Sequence, residues 1–209
     1  MNPKELTLIY VWDAYCGWCY GFSKSLQAFH ENHPELALTV LSGGLFVNNK
    51  KLPIASFPHI PEANKRISQL TGAEFGAPYQ RLLEEGTFVM DSEAAAKGLS
   101  ALRFFAPERS YYLASSIQHA FYYEGKSLSD PATYREIAIA NNLDPEAVLA
   151  RFGDVASTKD AHADFAKVQQ LGVQGYPTLL LQKGDELIGL GGGVMTAEKI
   201  ENRLRSVIS

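Results

Sequence analysis

Strand-like runs gather at the two ends of this chain, and a long stretch of helical periodicity separates them. Leu6-Thr7-Leu8-Ile9-Tyr10-Val11-Trp12 is β-branched, aromatic and almost wholly apolar, the pattern of a central strand covered on both faces. From the cysteines that follow, the chain reads as helix to about His33, with Phe22, Leu26 and Phe29 on one face, until Pro34 ends it. Leu36–Leu41 is a second strand and Ser42-Gly43-Gly44 its turn. A β-α-β opening of this kind favours a parallel pair with a right-handed crossover.

Between residues 48 and 155 helical spacing takes over. Pro61–Leu70 reads as a helix, and Ser92 as the cap of another that runs to Phe105 with Ala95, Leu99, Leu102 and Ala106 as its stripe. A further helix turns Leu113, Ile117, Ala120 and Phe121 inward. Asp130-Pro131 and Asp144-Pro145 each pair an N-cap with proline at the first helical position. The strand signals then return. Lys159–Leu171 is helical and stopped by Gly172, Thr178–Gln182 is a strand, and Gly184-Asp185 turns a hairpin into Glu186–Leu190. Gly191-Gly192-Gly193, a tight turn or bulge, leads to a last helix over Thr196–Val207. The expected fold is therefore α/β, with 1–47 and 156–209 forming one discontinuous unit and 48–155 an all-helical insertion.

At 209 residues, 46% of them hydrophobic, the chain is long enough to bury its own core. Its net charge of −4 supplies no basic field for a phosphate backbone, so nucleic acid is not an expected partner. No apolar run approaches the ~20 residues that cross a bilayer, and no membrane partner is expected. Met1-Asn2-Pro3-Lys4-Glu5 does not resemble a secretory leader, and the first apolar run leads straight into the cysteines, so the expected location is cytoplasmic.

Both cysteines fall in one window, Cys16-Gly17-Trp18-Cys19, between a strand and a helix. Free N–H groups and the dipole at a helix N-terminus favour an anion, which makes Cys16 the attacking thiolate, expected to stay accessible at the junction. Cys19, a turn further on, is the resolving thiol. The rival reading is half a zinc site with His30 and His33. That spacing is too short for a zinc finger, and in a helix His30 lies roughly 16 Å along the axis from Cys19, so no metal is expected. Asp13, the nearest acid, is open to two readings: proton transfer to Cys19, or a turn residue bonding its own backbone. His59, His119 and His162 have no partners at metal spacing. Tyr111, Tyr112, Tyr122 and Tyr123 read as core and rim of the insertion.

The strand, the Cys16-x-x-Cys19 helix start and the distant Gly175-Tyr176-Pro177-Thr178 together resemble the thioredoxin superfamily. The insertion, the segment Asp13–Phe22 and Gln118–Gly125 resemble its DsbA-like branch, in particular the predicted protein-disulfide isomerases related to FrnE. Local sequence alone makes Pro177 an ordinary trans proline; the resemblance implies a cis-proline beside the cysteines. It also implies that Tyr176 offers backbone groups to an extended substrate, with Gly175 beside it, and that Gly17 and Trp18 tune the thiolate. Tyr10 stands where much of the superfamily has a buried acid, six residues before the first cysteine.

The function this implies is disulfide exchange on protein or small-thiol substrates. It needs no cofactor beyond the redox-active disulfide, with glutathione admitted as co-substrate. In a reducing cytoplasm, poised at ~−220 to −320 mV, such an enzyme acts as reductase or isomerase. The alternative is a glutathione-dependent transferase or isomerase of the kappa or 2-hydroxychromene-2-carboxylate isomerase type, relatives that place serine where Cys16 stands. A third class is a peptide-binding holdase that needs neither cysteine.

Overall fold

The computed structural model describes residues 6–208; Met1–Glu5, on which the reading of the N-terminus rests, lie outside them. Four strands form one sheet: β1 (Leu6–Trp12), β2 (Ala37–Ser42), β3 (Thr178–Lys183) and β4 (Glu186–Gly191). Their order is β2-β1-β3-β4, with β1 and β2 parallel and β3 antiparallel to both its neighbours. The apolar strand β1 is thus internal, as its composition requires. Leu8, Tyr10 and Trp12 face α1 (Gly17–Glu31) and α9 (Ala197–Ile208), packing with Phe22, Leu26, Ile200 and Leu204. Ile9 and Val11 face the other way, onto Val168 of α8 (Val155–Gln170). Each such side chain contributes about 1.5–3 kcal/mol of burial.

The middle of the chain forms α2 (Ile60–Thr71), α3 (Ala77–Glu85), α4 (Ser92–Phe105), α5 (Ser110–Tyr122), α6 (Pro131–Ala140) and α7 (Pro145–Gly153). Its buried face merges with that of the sheet: Leu99, Leu102, Leu113 and Ile117 belong to the same core cluster as Tyr10 and Phe22. Asp130 and Asp144 cap α6 and α7 with prolines just inside. Three elements depart from the sequence expectations. Helix α3 carried no recognised signal; it is short and presents a single buried residue, Tyr79. Helix α8 begins at Val155, ahead of Lys159, because Asp154 caps it through the Ala156 N–H. The cap of α4 is Asp91, whose side chain accepts from the N–H groups of Glu93 and Ala94, and this frees Ser92 to point inward.

Behind the sheet edge, Gly191 and Gly192 have φ of 135° and 158°, and the β3–β4 pairing shifts register between Leu179 and Leu180. A Cβ on Gly192 would stand 2.2 Å from the carbonyl oxygen of Pro177, so only glycine lets this loop lie against the Pro177 turn. Among the described residues, no helix is long and apolar enough to cross a membrane.

Candidate active site

Strand β1 ends in a short loop, Asp13-Ala14-Tyr15, that turns the chain into α1. The turn is closed by the Cys16 N–H donating to the Asp13 carbonyl at 3.1 Å. Cys16 is the N-cap of α1: its carbonyl accepts from Cys19 and Tyr20, and its Sγ accepts the Cys19 N–H at 3.3 Å. A sulfur in this position sits where α1 presents unsatisfied N–H groups. Cys19 is wholly buried, beneath the same turn. Burial, with the hydrogen bond and charge of the neighbouring Cys16 sulfur, pushes its thiol well above the ordinary range. The two thiols, both free, are therefore made unequal by position alone.

From the far end of the chain, the Tyr176–Pro177 peptide, which is cis, meets this turn. The Tyr176 carbonyl accepts the Cys16 thiol at 3.5 Å, and the Tyr176 hydroxyl donates to the Gly43 carbonyl at 2.6 Å. The ring lies so close to Gly43 that a Cβ there would stand 2.2 Å from it. Cys16, Cys19, Tyr176 and Pro177 are thus brought together. Gly175 is exposed beside them, and Trp18 is half-buried at the rim.

Cys16 is only 6% exposed, against the expectation of an accessible thiol. Helix α2 of the insertion helps to shield the turn. Its Ile67 and Asn64 lie against Gly17, within 2.9 and 3.3 Å of where a Cβ would stand. Cys16 lines a pocket of about 130 Å³ together with Trp18, Phe46, His59, Asn64 and Tyr122.

Asp13, 2% exposed, combines its turn role with a longer reach. Its Oδ1 accepts from the Tyr15 N–H (2.9 Å) and the Ser92 hydroxyl (3.0 Å), and its Oδ2 from the Leu45 N–H (2.7 Å). Burial nevertheless wins over these bonds and raises its pKa. Two further residues touch the site in roles that the sequence does not announce. Gln118 of α5 is buried and donates to the carbonyls of Asp13 (3.2 Å) and Cys16 (3.5 Å). Its signal was a polar residue beside the inward stripe of Ile117 and Phe121. Tyr10, in place of the superfamily acid, reaches the Cys19 carbonyl at 3.5 Å. Of the histidines, His59, His119 and His162 are exposed, and among the described residues no cluster of His, Cys, Asp and Glu is placed to hold a metal.

A family model described as the DSBA-like thioredoxin domain matches residues 7–205. Among solved structures, the cytosolic disulfide reductase DsbM from Pseudomonas aeruginosa is 27% identical, with a TM-score of 0.82 and 97% of each chain covered. The structure of the same protein with GSH aligns at 28% identity and a TM-score of 0.80, over 97% of this chain and 98% of that one. A candidate protein disulfide isomerase from Nitrosomonas europaea is 22% identical, with a TM-score of 0.85 and 97% of each chain covered, which shows the shared fold. Among curated protein sequences, none matches this chain.

Proposed function

The chain belongs to the DSBA-like thioredoxin domain family of thiol–disulfide oxidoreductases, and on that premise we propose that it works as a disulfide reductase or isomerase, with Cys16 attacking and Cys19 resolving. The observation that carries this reading is the inequality of the two thiols: one sulfur caps α1, the other is buried behind it and held protonated.

The Cys16 thiolate attacks one sulfur of a substrate disulfide. That S–S bond breaks, the released sulfur takes up a proton, and a mixed disulfide forms on Cys16. Cys19 then gives up its proton and attacks Cys16 Sγ, and the second substrate sulfur leaves as a thiol. The substrate has gained two electrons and the protein holds a Cys16–Cys19 disulfide. Two equivalents of a small thiol restore the dithiol. Glutathione is the partner we assign, supported by its presence in the DsbM structure, and the cytosolic setting of DsbM supports a reducing compartment for this chain.

Pro177, having no N–H, keeps a competing donor away from the thiols. When Cys16 loses its proton the Tyr176 carbonyl loses its donor, and becomes free to receive an N–H from an extended substrate flanked by Gly175 and Trp18. Asp13 holds the loop; its raised pKa also suits it to take the Cys19 proton. Helical residues 48–155 form the cover over the reactive turn.

Replacing Cys16 by serine should abolish turnover of a disulfide substrate, and replacing Cys19 by serine should trap the mixed disulfide, seen by mass spectrometry. Titrated against glutathione, the pair should sit near the cytoplasmic poise. Undiminished turnover in Cys16→Ser overturns the proposal, and glutathione conjugation that survives loss of Cys19 would instead support the transferase class.

A further inference from the structure

Two polar groups in the pocket over Cys16 have no assigned work. Asn64 is 7% exposed; its Nδ2 donates to the Tyr79 hydroxyl at 2.9 Å, while its Oδ1 accepts from no described residue. That Oδ1 stands 3.3 Å from the point where a Cβ on Gly17 would lie, beside the residue that follows Cys16. The Tyr122 hydroxyl lies 3.9 Å from the same point and likewise has no hydrogen-bond partner among the described residues. Both side chains line the pocket with Cys16. Around them Ile60, Ala63, Ile67, Met90 and Phe121 offer no side-chain donor or acceptor.

Both atoms open into this small pocket beside Cys16, so a ligand that enters it takes solvent from them and forfeits about 1–3 kcal/mol for each one it leaves unbonded. An acceptor and a hydroxyl donor that face one pocket match the N–H and C=O that a single residue of an extended peptide presents on the same side. A free sulfhydryl or an aromatic disulfide has no such pair.

We propose that Asn64 Oδ1 and the Tyr122 hydroxyl bind the N–H and the C=O of the substrate's cysteine residue, which makes the reaction selective for cysteinyl peptides over disulfides without amides. This rests on the oxidoreductase reading and names its substrate class. Asn64 accepts the peptide N–H, and Tyr122 donates to the peptide carbonyl. Because α2 and α5 bring these groups, the helical cover acts as a recognition surface for the turn it shields.

The test is the second-order rate of oxidation of the reduced protein by two disulfides. One is the disulfide of N-acetylcysteine methylamide, which carries peptide groups. The other is 4,4′-dithiodipyridine, which carries none. The ratio of the two rates should fall about tenfold in Asn64→Leu and in Tyr122→Phe, the worth of one hydrogen bond. Asn64→Asp, which keeps an acceptor in the same shape, should hold the ratio within about twofold. Tyr122→Phe removes one oxygen only and decides the matter if the leucine variant fails to fold. Unchanged ratios in both variants overturn the proposal. Oxidation of the wild-type pair by neither disulfide removes the oxidoreductase reading, and this one with it.

Discussion

The hydroxyl of Ser92, the first residue of α4, donates to Oδ1 of Asp13 at 3.0 Å and accepts the Phe46 N–H at 2.9 Å. One side chain thus ties the helical block to the loop before Cys16 and to the loop after β2. The Ser92→Ala variant leaves a buried carboxylate and a buried N–H each short of a partner. It should lose about 2–3 kcal/mol in urea unfolding. A loss under about 0.5 kcal/mol would mean that this link is not what holds the reactive turn in register.

Cys19 should resist alkylation in the native protein. Its thiol is raised well above the usual value by burial and by Cys16, whereas in the unfolded chain it ionises near the ordinary ~8.5. The protonated form is the one the fold favours, so its contribution is complete below that value and is lost as pH rises through the folded value. Reduced wild-type protein should therefore lose stability above about pH 8.5 more steeply than Cys19→Ala. Equal slopes would show that burial does not hold this thiol protonated.

His33, just beyond α1, bonds Glu35 through Nδ1 and Glu201 of α9 through Nε2. Burial alone would lower its pKa, but the hydrogen bonds that the imidazolium donates to the two carboxylates outweigh this and raise it. The stability it brings is complete below its unfolded value of about 6.5 and disappears as pH climbs through the raised folded value. The pair is partly solvated, so less than about 1 kcal/mol is at stake. The Tm difference between wild type and His33→Gln should be larger at pH 5.5 than at pH 9, and a pH-independent difference would refute the link.

Substituting Gly192 by alanine places a Cβ against the Pro177 carbonyl, which is main chain and yields little. Stability should drop by about 1–3 kcal/mol, as overpacking does. Turnover should fall more than stability explains, because Tyr176, whose carbonyl meets Cys16 Sγ, is the residue before Pro177. Comparing kcat/KM with the folded fraction separates the two effects. Activity that tracks the folded fraction would show that the Pro177 loop moves without disturbing the site.

Much of the architecture was legible because it rests on local rules. The apolar run Leu6–Trp12 could only be an internal strand, and Asp130-Pro131 and Asp144-Pro145 announced two helices with their caps. Helix α3 was not legible, since one buried tyrosine makes no stripe. At position 91–92 two residues were able to cap α4. The choice of Asp91 followed from Ser92 having partners elsewhere, which no local pattern reveals.

The site divides the same way. That Cys16 opens a helix and Cys19 follows inside it is dictated by spacing along the chain, because a turn of helix has fixed dimensions. How far Cys16 is shielded, which backbone carbonyl receives its proton, and which side chains look into its pocket were set by segments distant in sequence: Tyr176, Asn64 and Gln118 lie 160, 48 and 102 positions from Cys16. Local chemistry fixes what a residue can do within its own turn of chain. What touches it is settled only when the hydrophobic faces of the sheet and the helical block close on a common core, because burial is non-directional and leaves no mark on the sequence of the partner it selects.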